Sequence, residues 1–227
     1  MTQNTIASDA DLQYLRNIGT GVVLDAEVRL AINGATKTLL PIQKFGDAPH
    51  IAGPVTTVRF LPKRSDEKAL TSMYEIMQNS GAGSVIVVEG HGYSGHLFGG
   101  NMAHMGIQTG VEAVLLDSGY RDHQEILNYG LNLFSSRKET VYPAVGNLLI
   151  SDLDVPINLD GVQVRPGDIA VGDDDGVIFI PQESYTEVMA NVRDMAQLEE
   201  EMERLIREKQ PGHSIRELLA TKKNRKV

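Results

Sequence analysis

The sequence of 227 residues contains no cysteine, and this absence excludes disulfides, thiolate zinc sites and a cysteine nucleophile. It has no apolar run near the roughly 18 residues of a membrane span. Its first residues lack the basic and apolar segments of a signal peptide, so we expect a cytoplasmic protein that does not contact membranes. The 21 basic residues are outnumbered by 30 acidic ones, and the net charge of −9 argues against broad binding to nucleic acid.

Several common catalytic motifs are also missing. There is no Gly-Lys-Ser/Thr sequence of a nucleotide-binding P-loop, no G-x-S-x-G nucleophile elbow and no H-E-x-x-H zinc motif. No lysine lies in the strands that flank the candidate site described below, so a Schiff-base mechanism has no obvious nucleophile.

What is present indicates one α/β domain over residues 1–227, because apolar residues make up 41% of the chain and can fill a sizeable core. We expect the core over about 10–181, an amphipathic C-terminal helix over about 182–208 and a basic tail over 221–227. The first part of the chain is predicted to form helices at 8–18 and 66–80 and strands at 21–32, 38–42 and 51–60, with a turn at Asn33-Gly34 and with Pro54 at an edge or a bend.

The middle of the chain has the pattern of a parallel crossover. A nearly all-apolar strand at 84–89 precedes a glycine-rich loop, a helix of about ten residues and a second strand at 112–116. A short helix and a strand at 131–134 follow. Past Pro143, short β segments are predicted at 155–159, 162–164, 168–173 and 177–180.

The glycine-rich loop over 90–100 is the first candidate site. Closely spaced glycines between a strand and a helix allow backbone N–H groups to approach an anion, and the spacing favours a carboxylate over a dinucleotide. The alternative is a tight loop whose glycines only supply positive φ angles.

The second candidate is the segment from Asp117 to Asp122, which directly follows an apolar strand, where open α/β sheets bind ligands. Arg121 offers a planar fork for a carboxylate, and the oxygens of Asp117 and Asp122 suit Mg²⁺ or Mn²⁺. The alternative is an ordinary surface ion pair between Arg121 and Asp122.

Two further features are weaker. The run from Asp173 to Gly176 lacks most ligands of a calcium loop and is predicted to be a charged turn between two strands. Among the six histidines, His91, His96 and His123 are candidates for proton transfer because they lie near the two candidate sites.

Four segments in this order resemble one family: AGPVTTV at 52–58, the glycine-led helix start at 99–102, GVEAVLLDSGYRD at 110–122 and GVQVRPGDIAVGDDDGVIFIP at 161–181. Together they resemble the class II 4-hydroxy-4-methyl-2-oxoglutarate/4-carboxy-4-hydroxy-2-oxoadipate aldolases, a family that includes RraA, the regulator of ribonuclease activity. The resemblance implies a β/β/α swivelling fold that assembles as trimers or hexamers.

The same resemblance implies roles for particular residues. Arg121 would hold the carboxylate of a short 2-oxo acid, with Asp117 as a second candidate catalytic residue, and Asp122 would bind Mg²⁺ or Mn²⁺ partly through waters. The helix start would contact the substrate through Gly99, Gly100, Asn101 and Met102. A glutamate of a neighbouring subunit's C-terminal helix would approach the metal, and the sequence leaves Glu199, Glu200, Glu201 and Glu203 open.

The expected function is therefore a metal-dependent lyase that releases pyruvate from a 4-hydroxy-2-oxo diacid, with decarboxylation of oxaloacetate as a second activity. One alternative is a non-catalytic, RraA-like protein that binds a ribonuclease, and another is a small-molecule binding protein that keeps the pocket without turnover. Such regulators tend to lack the long C-terminal helix, so its presence favours the aldolase.

Overall fold

The computed structural model describes residues 7–43, 50–143 and 148–224, and the end of the basic tail at 225–227 lies outside them. Seven helices are present in this part of the chain: α1 (Asp9–Ile18), α2 (Thr20–Arg29), α3 (Met73–Ser80), α4 (Gly100–Thr109), α5 (His123–Tyr129), α6 (Tyr185–Arg207) and α7 (Gly212–Asn224). None of these helices combines the length and apolar character needed to cross a membrane.

Twelve strands accompany these helices in the described residues. They are β1 (Leu40–Pro41), β2 (Ile51–Pro62), β3 (Val85–Glu89), β4 (His96–Phe98), β5 (Ala113–Leu116), β6 (Gly119–Tyr120), β7 (Asn132–Ser135), β8 (Leu148–Leu153), β9 (Ile157–Leu159), β10 (Val162–Val164), β11 (Ile169–Asp173) and β12 (Gly176–Ile180). The mixed α/β fold with a long C-terminal helix that the sequence predicts is confirmed.

The main sheet has the order β1-β7-β5-β3-β2-β11-β12, and β8 pairs with the second half of β2. β2, β3, β5 and β7 run parallel, so the predicted crossover from β3 through α4 to β5 is confirmed. β3 and β5 are buried along their whole length because helices or strands cover both faces of the sheet. This arrangement brings the loops after β3, β5 and β7 to one edge, where the candidate residues lie.

The predicted strand over 21–32 is wrong, because this segment forms α2. Alternating polar residues suggested a strand, but the buried side chains are Val22, Val23, Ala26 and Glu27, which share one face of a helix. The predicted hairpin at Asn33-Gly34 is therefore also absent, and the predicted strand at 38–42 shrinks to the two residues of β1.

The predicted helix over 66–80 begins later than expected, at Met73. Ser72 ends the preceding loop with a capping box, in which its Oγ accepts from the Glu75 N–H and the Glu75 carboxylate accepts from the Ser72 N–H. Leu70, which lies within the predicted helix, is 62% exposed. The residues before Ser72 instead form a loop that lines the cavity described below.

Two further features considered in the sequence, Pro54 and the turn at Asp173–Gly176, both lie next to β11. Pro54 lies in an interior strand, and it is tolerated because it pairs only with Ile169 of β11, while the pairing of β2 with β3 starts one residue later. The turn at Asp173–Gly176 joins β11 and β12 as predicted. The buried Asp173 carboxylate also accepts from the N–H and hydroxyl of Thr20 at the start of α2.

The C-terminal region contains one helix more than predicted. After a short 3-10 turn at Gln182–Ser184, α6 buries Val188, Val192 and Met195 in the core formed with α1 and α2. Much of the apolar stripe of α6 is therefore covered within the same chain. α7 was not predicted, although its Leu218 and Leu219 lie beside Leu198 and Met202 of α6.

Candidate active site

Arg121 and Asp122 lie side by side where β6 meets α5. β6 pairs in parallel with β4, and the Arg121 N–H donates to the Phe98 carbonyl at 3.0 Å. This pairing fixes the backbone of the Arg-Asp pair against the end of the glycine-rich loop. The Arg121 Nε lies 3.4 Å from the Asp122 Oδ2, and the two side chains are 55% and 36% exposed.

The start of α4 holds the Asp122 carboxylate. The Gly100 N–H donates to the Asp122 Oδ2 at 3.1 Å, so a free N–H of the helix N-terminus binds this acid. A Cβ at Gly99 would stand 2.9 Å from the Asp122 Oδ2, so a side chain there would displace this carboxylate from its present position. The sequence therefore places glycine where helix and acid come close together.

The backbone of Asp122 is itself unusual, with a φ of +60° in the left-handed region. Aspartate tolerates this region better than most residues. Residues held in sparsely populated conformations concentrate at functional sites, where surrounding structure compensates for their cost. Here the Asp122 carbonyl accepts from the N–H groups of Glu125 and Ile126, which anchors the first turn of α5.

A cavity of about 610 Å³ opens beside this pair. We call it the Arg121 cavity; it is lined by Arg121, Asp122, the helix start at Gly99, Asn101 and Met102, the strand β4, the loop before α3 and the first residues of β8. Its walls are largely apolar, and Lys63 and Lys68 contribute two cations from the loop before α3. Such a mixture is typical of sites for small organic ligands.

The predicted substrate-binding residues reach this cavity to different degrees. Gly99, Asn101 and Met102 line it, whereas Gly100 does not. The Met102 N–H donates to the Gly99 carbonyl at 3.0 Å, so it takes part in the helix turn. The Gly100 N–H is likewise engaged, by Asp122.

Asp117 does not line the Arg121 cavity. Its carboxylate accepts from the Gly90 N–H at 2.6 Å and from the Gly92 N–H at 3.1 Å. Burial raises the pKa of the Asp117 carboxyl, while these two hydrogen bonds act to lower it. The glycine-rich loop therefore binds a carboxylate, as its spacing suggests, but that carboxylate belongs to the chain itself.

The three candidate histidines are separated. His96 lines the Arg121 cavity with only 7% of its surface exposed, and its Nδ1 is buried without a hydrogen-bond partner in the described part of the chain. His123 Nδ1 lies 3.0 Å from the Tyr120 hydroxyl. Burial, followed by the influence of Glu139, raises the pKa of Tyr120 to about 12. His91 lines a different cavity.

Sequence reasoning missed one acidic side chain at this site. The Glu125 carboxylate lies over Gly100, where a Cβ would collide with it. The sequence could have indicated that Glu125 lies near Asp122. The two residues are three positions apart at a helix start, so their side chains share one face. Two carboxylates therefore lie at the first turn of α4.

Two carboxylates are a small donor set for a divalent cation. No group of three or more histidine, aspartate or glutamate side chains arranged to hold a metal occurs in the described ranges. Mg²⁺, however, keeps several waters and commonly uses one or two carboxylates together with substrate oxygens. The carboxylates of Asp122 and Glu125 fit such a water-rich site.

The family model described as "RraA-like: Aldolase/RraA" matches residues 18–179, which include the core strands and the Arg-Asp pair. The chain belongs to the RraA-like family.

Named relatives of this RraA-like chain are distant. It is 28% identical over 144 residues to a 4-hydroxy-4-methyl-2-oxoglutarate aldolase of Thermus thermophilus, covering 62% of this chain and 81% of that protein. It is 27% identical over 197 residues to Protein DlpA of Legionella pneumophila, covering 82% of this chain but only 30% of that longer protein.

A solved structure agrees in fold. RraAS2 of Streptomyces coelicolor, described as an unusual member of the RNase ES inhibitor RraA protein family, superposes with a TM-score of 0.74 at 23% identity. The match covers 86% of this chain and 97% of that one. At this identity the likeness shows the shared fold alone.

Proposed function

We propose that this RraA-like protein is a divalent-metal-dependent lyase that cleaves a short 4-hydroxy-2-oxo diacid and releases pyruvate. The observation that carries the proposal is the Arg121-Asp122 pair on the wall of a 610 Å³ cavity, with a helix N-terminus holding the acid. The relationship to a named aldolase supports the same chemistry. Decarboxylation of oxaloacetate is the second activity that we propose, because it also leaves the enolate of pyruvate.

Arg121 binds the carboxylate next to the 2-oxo group in this proposal. Its guanidinium is a planar fork that matches a carboxylate at two points, and more than half of its side chain is exposed and can reach a ligand. Lys63 and Lys68 line the same cavity and offer positive charge to the second carboxylate of a diacid. These local cations offset the net charge of −9 that the whole chain presents to an anionic substrate.

Asp122 and Glu125 would hold Mg²⁺ or Mn²⁺. When bound, the cation supplies Lewis-acid stabilisation of the negative charge that develops as the carbon–carbon bond breaks. The Gly100 N–H and Arg121 keep the Asp122 Oδ2 in place, which leaves its Oδ1 for the ion or for its waters. Water is the proposed acceptor of the 4-hydroxyl proton, with His96 in the adjacent wall.

We further propose a homo-oligomer, a trimer or hexamer, in which α6 of one subunit reaches the site of the next. Of the candidate acids, Glu201 pairs with Arg204 at 2.6 Å, and Glu203 lies 3.8 Å from Arg207. Glu199 lies beside α7. Glu200 is exposed, and no partner of its side chain occurs among the described residues. Glu200 is therefore the residue that we propose for the neighbouring metal site.

Pyruvate release is the direct test. The protein is incubated with 4-hydroxy-4-methyl-2-oxoglutarate or with oxaloacetate, in Mg²⁺, in Mn²⁺ and in excess chelator, and pyruvate is measured through lactate dehydrogenase. We expect metal-dependent release that chelation abolishes. Absence of release from both substrates with either metal would reject the lyase and favour the non-catalytic alternatives, a ribonuclease-binding or a small-molecule binding protein.

A further inference from the structure

A second cavity, of about 790 Å³, lies at the carboxyl ends of the parallel strands β3, β5 and β7. We call it the glycine-loop cavity. Its walls include Glu89 at the end of β3, Asp117 after β5 and Ser136 after β7. It shares no lining residue with the Arg121 cavity. The proposed lyase chemistry therefore leaves it without a role, although this edge of an α/β sheet is a usual place for ligands.

The acidic side chains of the glycine-loop cavity are already engaged by other groups of the chain. Glu89 accepts from the Arg59 Nε at 2.7 Å and from the Asn158 N–H at 3.1 Å. Asp160 accepts from the N–H groups of Lys37, at 2.6 Å, and Thr38, at 2.5 Å. These carboxylates are therefore hydrogen-bonded to other groups in the wall of the cavity.

The third acid, Asp117, is engaged in the same way. It binds the Gly90 and Gly92 N–H groups, so it completes the glycine-rich loop from inside. Glu89, Asp117 and Asp160 therefore each accept hydrogen bonds from other groups that form the cavity.

Two of the basic side chains that line this cavity have no ion-pair partner among the described residues, whereas the Nδ1 of His91 lies 3.9 Å from the Glu89 Oε1. Neither the Lys37 ammonium nor the Arg137 guanidinium forms an ion pair or a side-chain hydrogen bond with the residues that the structure describes. Lys37 extends along Gly161, where a Cβ would stand 3.2 Å from its Nζ. Arg137 lies along Gly92, where a Cβ would stand 3.2 Å from its Nη2. Both charged groups therefore border the cavity beside glycines, whose lack of a side chain leaves room for them.

A neutral donor adds to these cations. The Asn158 side-chain oxygen accepts from the Gly161 N–H, which leaves the NH₂ group of that amide as a donor. Asn158 and Gly161 both line the cavity. The free polar groups of the glycine-loop cavity are thus donors from several directions, two of them charged.

We propose that the glycine-loop cavity is a second binding site, for a small phosphomonoester. A tetrahedral phosphate has three terminal oxygens and suits donors that converge from several directions, whereas a planar carboxylate offers two. The cavity is larger than a phosphate group alone, and its volume lies in the range of sites for small organic ligands. Lys37 and Arg137 bind the phosphate, and the remaining space takes the organic part.

Phosphate binding can be measured without the lyase reaction. The full chain is titrated with inorganic phosphate and with glycerol 3-phosphate by calorimetry in phosphate-free buffer. Succinate is titrated into Arg121→Ala as the carboxylate comparison, because a diacid can also bind the Arg121 cavity of the wild type. We expect saturable binding with glycerol 3-phosphate tightest and succinate weakest. Since the chain carries a net charge of −9, saturable binding of an anion is not expected from overall charge. If no phosphate compound binds saturably, or if succinate binds as tightly, the proposal is wrong.

Variants locate the site. Lys37→Gln and Arg137→Gln should each weaken glycerol 3-phosphate binding about 10- to 100-fold, the usual effect of removing a charged hydrogen-bond donor. Lys138→Gln is the matched control, because it removes the same charge one residue from Arg137 but does not line the cavity. Equal loss in Lys138→Gln would show diffuse attraction and overturn the proposal.

Arg121→Ala separates the two cavities. It should leave glycerol 3-phosphate binding within about twofold of the wild type, because Arg121 lies in the other cavity. If binding is lost in this variant and kept in Arg137→Gln, the anion occupies the Arg121 cavity and the second site does not exist. A failure to release pyruvate would reject the proposed lyase but would not change this binding result.

Discussion

Replacement of Arg121 distinguishes a substrate-binding residue from a surface ion pair. Arg121→Ala removes both the charge and the fork, and Arg121→Lys keeps the charge but loses the two-point contact. In the proposed lyase, loss of this charge-assisted contact removes about 2–4 kcal/mol of transition-state stabilisation, which is roughly 30- to 1,000-fold in kcat/KM. We expect a graded loss, with lysine intermediate and alanine worst.

The effect on stability should be much smaller. Arg121 and Asp122 are separated by 3.4 Å and are 55% and 36% exposed, so solvent screens their attraction. Exposed pairs of this kind contribute about 0–1 kcal/mol to folding. For a domain of this size such a loss lowers Tm by at most about 4 °C. The activity and the stability of Arg121→Ala should therefore change by very different amounts.

Arg193→Ala is a suitable control for this experiment. The Arg193 side chain is 50% exposed and also pairs with one acid, Asp11, but it does not line the Arg121 cavity. Pyruvate release and thermal unfolding are measured for the wild type and all three variants. A substrate-binding role for Arg121 is excluded if Arg121→Ala keeps near wild-type kcat/KM, or if its loss of activity is matched by Arg193→Ala.

The other predictions concern the metal, the assembly and a buried acid. Asp122→Asn should abolish metal-dependent pyruvate release while Tm falls by at most about 4 °C, and full turnover in this variant would contradict the metal role. Glu200→Gln should lower kcat at subsaturating Mg²⁺ more than Glu201→Gln does, because Glu201 is already paired with Arg204; equal effects would argue against Glu200. Light scattering at micromolar concentration should show a trimer or hexamer, and a monomer would reject the shared site. Finally, burial raises the pKa of Glu27 from 4.5 to about 7, so the folded state binds this proton more tightly than the unfolded state does. The free energy of unfolding should therefore fall between about pH 4.5 and pH 7, by up to about 3 kcal/mol. Glu27→Gln should remove this fall in urea unfolding, and an unchanged pH profile would refute the assignment.

Much of the fold is determined by local sequence patterns. The strands β3 and β5 are short apolar runs, and the glycine-rich loop and α4 lie between them, so spacing alone predicts the parallel crossover. Local patterns failed for α2, where polar residues alternate as in a strand. Glu27 explains that failure, since its buried carboxylate accepts from the Gly34 N–H, an arrangement that a periodicity of hydrophobic residues does not show.

The candidate site, like the fold, is only partly predictable from the local sequence. Arg121 and Asp122 are adjacent in sequence and follow a buried strand, so sequence patterns predict that they lie together at the carboxyl edge of the sheet. Their neighbours, in contrast, depend on how distant segments of the chain pack. The pairing of β4 with β6 brings the start of α4 to Asp122, whereas the hydrogen bonds from Gly90 and Gly92 hold Asp117 away from the Arg121 cavity.

The glycine-loop cavity shows most clearly why local sequence patterns do not reveal which residues come together. Lys37, Arg137 and Asn158 are about 20 to 120 positions apart, and each alone looks like an ordinary exposed polar residue. They border one cavity because Arg137 follows β7, the Asn158 N–H donates to Glu89 at the end of β3, and the Lys37 N–H donates to Asp160. These contacts join segments that are distant in the sequence. The preference of each residue for helix or strand can be inferred from the local sequence. Side chains that are distant in the sequence come together only when the sheet forms.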